Sequence, residues 1–193
     1  MHYLDRPLAI TDVETTGTDE RIHEIIEIGL VLVDQKTLEI IEEWETKIKP
    51  MNIQSATEVA LKINGYNEKE WENAPSIIEA LETYSAKTRD TMFCAHNNIF
   101  DWNFLTASHR RTHVPQNECK HKVDLLTLGW EKVRNYPEIQ KLGLKEICLF
   151  LGIEPEPDPH RALNGARKEY EVLRKLIEPL SASKAMKKED FAH

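Results

Sequence analysis

The chain has 193 residues, 40% of them hydrophobic and 30% charged, with a formal net charge of −8. That length suits one domain with a full core, expected over 1–180 with a flexible C-terminal tail at 181–193, and the acidic balance argues against a protein that coats nucleic acid through bulk positive charge. No apolar stretch approaches the roughly 20 residues of a membrane span, no signal peptide is visible at the N-terminus, and Cys94, Cys119 and Cys148, odd in number and widely spaced, fit reduced thiols in a cytoplasmic protein.

In chain order, residues 7–13 read as a buried strand, Glu24 to Asp34 as a second rich in β-branched residues, and Ile40 to Ile48 as a third, close enough together for an antiparallel meander. Pro50 ends that block. Ser55 to Ile63 and Ser76 to Lys87 read as helices, the second with Ile77, Ile78, Leu81 and Tyr84 at helical spacing. A short strand at Thr91 to Ala95 leads into a helix starting near Phe100. A fifth strand closes at Val123, followed by helices at Leu125 to Val133 and Leu144 to Leu151. Three alternating prolines make residues 154–159 a loop, and the last helix spans about Arg161 to Leu176. Strands followed by alternating strands and helices indicate a mixed α/β sheet flanked by helices.

The most informative stretch runs from Pro7 through Asp12-Val13-Glu14-Thr15-Thr16-Gly17. Residues i and i+2 of a strand share a side, so Asp12 and Glu14 leave one face together. Two anions that close repel unless a cation lies between them, and oxygen-only ligation suits Mg²⁺ or Mn²⁺. A second segment, His96-Asn97-Asn98-Ile99-Phe100-Asp101, places a carboxylate on the first turn of a helix, which alone reads as a favourable helix terminus. The third, His160-Arg161-Ala162-Leu163, follows the proline loop; alone, His160 reads as a surface or capping residue.

The three segments in this order and at these separations resemble the DEDDh 3′–5′ exonucleases, a group that includes the proofreading subunit of the bacterial replicative polymerase, ribonuclease T and oligoribonuclease. The likeness covers about residues 7–178. It implies the ribonuclease H-like exonuclease fold, a five-stranded mixed sheet with helices on both sides. It implies hydrolysis of the terminal phosphodiester of single-stranded DNA or RNA to nucleoside 5′-monophosphates, assisted by two Mg²⁺ or Mn²⁺ ions. Asp12, Glu14 and Asp101 would hold the ions and His160 would act as base. Thr15, Thr16, Gly17, His96, Asn97 and Phe100 would shape the substrate site. The partners implied are 3′ ends, with a polymerase or a second copy of the chain as candidate protein partners.

One position departs from the pattern. The family carries an Asp five residues after the histidine, and this chain has Gly165. Glu169, one helical turn on, is the candidate replacement ligand; Asn164 is rotated about 100° away and is a poorer one. The competing expectation is a catalytically weak or inactive member that binds nucleic acid or a polymerase. A glycine also costs a helix roughly 1 kcal/mol relative to alanine, and no packing reason for it is visible in the sequence. Elsewhere, residues 107–113 with 120–122 form a local basic patch that reads as a solvated loop, the spacing of its His and Cys residues matches no structural zinc pattern, and Trp44, Trp71, Trp102 and Trp130 read as core.

Overall fold

The structure, a computed structural model, describes residues 2–177; the expected tail at 181–193 lies outside the described residues. Strands β1 (Leu8–Thr15), β2 (Ile25–Val33) and β3 (Ile40–Lys47) form the antiparallel meander. Three helices follow, α1 (Glu58–Ile63), α2 (Glu68–Trp71) and α3 (Ile77–Lys87), and the chain then returns as β4 (Met92–Ala95), parallel to β1. Helix α4 (Asn98–Thr112), strand β5 (Lys122–Asp124), and helices α5 (Leu125–Val133), α6 (Leu144–Leu151) and α7 (Ala162–Leu176) complete the chain. The sheet order is β3-β2-β1-β4-β5, which makes β1 the central strand.

Alternation along β1 sorts the two layers. Ala9 and Val13 pack with Leu81 and Tyr84 of α3 and Phe104 of α4. Leu8 and Ile10 pack with Leu125 of α5 and Leu163, Ala166 and Leu173 of α7. Asp12 and Glu14 continue the second series and so leave the sheet on the α7 side. All nine residues of β2 are buried, as a strand covered on both faces requires. Helix α7 comes unusually close to the sheet. Gly29, directly opposite Asp12 in β2, would carry a Cβ only 2.1 Å from the Ala162 backbone carbon, so no side chain fits between strand and helix there.

Local signals account for most boundaries. Ser76 and Glu79 form a reciprocal capping box at the start of α3. Helix α1 starts at Glu58, three residues later than expected, because Thr57 caps it and Ile53–Ser55 forms a separate 3₁₀ turn. Helix α4 runs from Asn98 to Thr112, so the basic residues His109, Arg110 and Arg111 lie on its last turns, not in a loop as expected. His109 is buried, its Nδ1 3.0 Å from the Val114 carbonyl, while Arg110 and Arg111 stay exposed. The expectation of four core tryptophans also needs correction. Trp71 is fully buried, and Trp44 and Trp102 pack against the core, but Trp130 is 50% exposed.

Candidate active site

Four strand-end and helix-borne carboxylates meet beside the C-terminal end of β1. The β1–β2 register shifts between Glu14 and Thr15, a bulge of the kind that re-aims side chains at a sheet's edge. Asp12 and Glu14 stand just before it. Asp101, on the first turn of α4 and 3% exposed, accepts the Val13 backbone N–H at 3.0 Å through Oδ1. Glu169, 1% exposed on α7, accepts the His96 backbone N–H at 2.7 Å through Oε1. Its Oε2 is buried without a hydrogen-bond partner.

These groups are held under electrostatic stress. Burial pushes the Asp12 carboxyl well above the usual range, and the charges of Asp101, Glu169, Glu14 and Glu156 push it further. Burial, followed by the Glu156 charge, raises Glu14 to about 8. Burial raises Asp101 to about 7 despite the Val13 N–H, and Glu169 also lies well above its ordinary value through burial and the Asp101 charge. Among the described residues, none of the four forms an ion pair with a basic side chain. Nor, among the described residues, do any three His, Cys, Asp or Glu groups stand close enough together to hold a metal ion as they are placed. Two buried carboxylates, Asp101 and Glu169, and two partly buried ones, Asp12 and Glu14, with one oxygen orphaned and no ion pair to Lys or Arg, fit hard divalent cations that would draw the oxygens together.

The structure supplies the packing reason for Gly165 that the sequence withheld. A Cβ at this position would lie 2.4 Å from Asp12 Oδ2 and 2.8 Å from its Cγ. The close approach of α7 that excludes a side chain at Gly29 therefore also excludes one at Gly165 while Asp12 keeps its present position. One turn later, Glu169 has room to reach the same cavity. That cavity, about 330 Å³, is lined by Asp12, Glu14, His96, Glu156, His160, Gly165 and Glu169. His160 stands at its open side, 44% exposed, with Nδ1 3.6 Å from Glu156 Oε2 and Nε2 3.8 Å from Asp158 Oδ1. Its backbone N–H donates to the Ile63 carbonyl.

A second cavity of about 420 Å³ shares Val13 and Glu14 with the first and is mainly apolar, with Thr15, Gly17, Ile63, Asn64 and Phe100 among its walls. The expected substrate residues thus divide. Thr15, Gly17 and Phe100 come together here, and His96 lines the carboxylate cavity, where its Nε2 lies 2.7 Å from the Leu142 carbonyl. Thr16 is fully buried, its N–H donating to Glu24 and its carbonyl accepting from Thr57, so its backbone is not free to grip a ligand. Asn97 is exposed in a left-handed conformation and lines neither cavity. Two contributors escaped the sequence reading. Buried Asn64 donates to the Thr15 carbonyl at 3.0 Å, a contact between distant segments with no sequence signal. Glu156 sits in the proline loop four residues before His160, a proximity that could have flagged it.

An exonuclease family model, that of RNase T, matches residues 9–173. The chain belongs to this exonuclease family. Among curated relatives, this exonuclease domain is 30% identical over 174 residues to the PolC-type DNA polymerase III of Thermotoga maritima, covering 90% of the chain and 12% of the polymerase. It is 28% identical over 168 residues to the PolC-type polymerase of Bacillus subtilis, covering 87% of the chain and 11% of the polymerase. The exonuclease chain therefore spans only about an eighth of the length of these relatives. Among solved structures, the nuclease domain of 3′hExo, a DEDDh family member bound to rAMP, superposes with a TM-score of 0.70 at 19% identity, covering 86% of this chain and 89% of that one. E. coli exonuclease I in complex with a dT13 oligonucleotide gives 0.73 at 18%, covering 89% and 40%. The ribonuclease H-like exonuclease fold and the DEDDh-type kinship read from the three motifs are both borne out.

Proposed function

We propose that the protein is a metal-dependent 3′–5′ exonuclease that removes nucleoside 5′-monophosphates from single-stranded ends. The observation that carries this reading is a cavity lined by Asp12, Glu14 and Glu169 beside an apolar cavity at the end of β1, with buried Asp101 held against Val13 behind them. Asp12, Glu14 and Asp101 would hold Mg²⁺ or Mn²⁺, with Glu169 presenting its free Oε2 from the helix that lacks the usual Asp. When bound, such ions neutralise phosphate charge and acidify water.

The chain's own residues do the rest. Phe100 and Ile63 offer apolar surface to a terminal base and sugar, and Asn64 fixes the Thr15 backbone at the wall between the two cavities. His160, partly exposed at the carboxylate cavity, takes a proton from the attacking water through a ring nitrogen. Gly165 alone favours a weak or inactive member; the buried Glu169 carboxylate in the same cavity supports the active reading. Kinship with PolC-type polymerases supports association with a polymerase, and the likeness to a dT13 complex supports single-stranded substrates.

The test is a 5′-labelled single-stranded oligonucleotide, in DNA and RNA versions, incubated with Mg²⁺ or Mn²⁺. A ladder shortening from the 3′ end, absent with EDTA and with Asp12→Asn, is expected. Intact DNA and RNA at enzyme excess with both ions present would refute the activity.

A further inference from the structure

Gly165, which faces Asp12, leaves the site one carboxylate short of the family pattern, and a carboxylate that no motif assigns lines the same cavity. Glu156 belongs to the loop between α6 and α7, whose alternating prolines restrict its backbone. Its neighbours Glu154 and Asp158 are exposed, yet its own side chain is only 9% exposed and lines the cavity of Asp12, Glu14 and Glu169. Oε1 accepts the Arg161 N–H at 2.8 Å, and Oε2 lies 3.6 Å from His160 Nδ1.

A helix cap explains one oxygen of Glu156 and not its placement beside other carboxylates. Glu156 lines the same cavity as Asp12, Glu14 and Glu169, and its second oxygen faces His160. Burying a further anion beside Glu14 is costly unless a cation is shared. Glu169 lines the same cavity and carries an Oε2 buried without a hydrogen-bond partner, an independent sign of a cation at this site. We propose that Glu156 is a further ligand-bearing carboxylate of the divalent-ion site, joining Asp12, Glu14 and Glu169 in the cavity where Gly165 supplies no side chain.

This inference rests on the metal-dependent reading above, and one experiment separates the two. Mn²⁺ binding to the full chain is measured by titration calorimetry for the wild type, Glu156→Gln, Glu154→Gln and Asp12→Asn, alongside thermal unfolding in EDTA. Glutamine keeps an oxygen for the Arg161 N–H, so Glu156→Gln should unfold near the wild-type midpoint while losing at least about tenfold in Mn²⁺ affinity. Glu154→Gln, the same charge change at an exposed position, should stay within about twofold of wild type. Wild-type affinity in Glu156→Gln, or an equal loss in Glu154→Gln, overturns the assignment. So does a lowered midpoint with affinity intact, which would leave Glu156 as a cap. If those results come with Mn²⁺ binding that Asp12→Asn abolishes, only the role of Glu156 falls. If the wild type binds no Mn²⁺, both readings fall.

Discussion

Gly165→Ala reverses the usual sign of a glycine replacement. Within a helix, alanine ordinarily gains roughly 1 kcal/mol over glycine. Here the added methyl would lie 2.4 Å from Asp12 Oδ2 and 2.8 Å from Asp12 Cγ, well inside contact distance. The Asp12 carboxylate must swing away or α7 must lift, and overpacking of this kind costs about 1–3 kcal/mol. The sum is a net loss of about 0–2 kcal/mol in place of the gain. Urea unfolding in EDTA measures the stability, and Mn²⁺ titration measures the second consequence, a weaker site because Asp12 has been displaced. A variant about 1 kcal/mol more stable than wild type with unaltered Mn²⁺ affinity would refute the packing argument.

Other expectations follow from the same geometry. Asp12→Asn removes a carboxyl crowded by Asp101, Glu169, Glu14 and Glu156, so the protein in EDTA should be at least as stable as wild type while 3′ shortening and Mn²⁺ binding vanish together; retention of either contradicts the site. The folded chain keeps protons on Asp101 to about pH 7 and on Glu14 to about pH 8, whereas unfolding returns both to ordinary carboxylate values. It therefore binds more protons than the unfolded chain, so this contribution is least unfavourable below about pH 5, and stability in EDTA should fall as pH rises from about 5 to 8. Mn²⁺ should flatten that fall; a rise in EDTA over the same range would count against the cluster. Gly29→Ala drives a methyl into the Ala162 backbone and should cost more than about 3 kcal/mol in thermal or urea unfolding; a wild-type midpoint would disprove the tight helix–sheet contact. Asn64→Ala strands the Thr15 carbonyl, costing about 1–3 kcal/mol, and should raise KM for a short oligonucleotide more than it lowers kcat; an unchanged KM would remove Asn64 from the substrate wall.

The legible parts of the sequence were those with local causes. The apolar runs of β1 and β2, the looser alternation of β3 and the Ser76 cap of α3 lie in short windows, and the three motifs carry their own spacing. Helix α2 is a single turn, too short for any period to declare it. The extent of α4 depended on a left-handed Asn97 that favours no visible pattern. Thr16 looked like a ligand contact because it sits in the motif, but a bulge and two long-range backbone hydrogen bonds consume its polar groups. Gly165 was visible as a departure, not as a necessity, because its reason is the distance between a helix and a strand more than 150 residues apart in the chain. Glu156 was hidden by composition: one acid among several in a loop has no period to mark it.

The C-terminal end of α1 has a further consequence. Asn64 holds the Thr15 carbonyl with its side chain and accepts Arg161 Nη1 with its own carbonyl, at 3.0 and 3.1 Å, and the adjoining Ile63 carbonyl receives the His160 N–H. Under the proposed function, the wall offered to a terminal nucleoside and the loop that carries His160 would be tied to one pair of adjacent residues. Substrate seating and placement of the base would then share one joint in the fold.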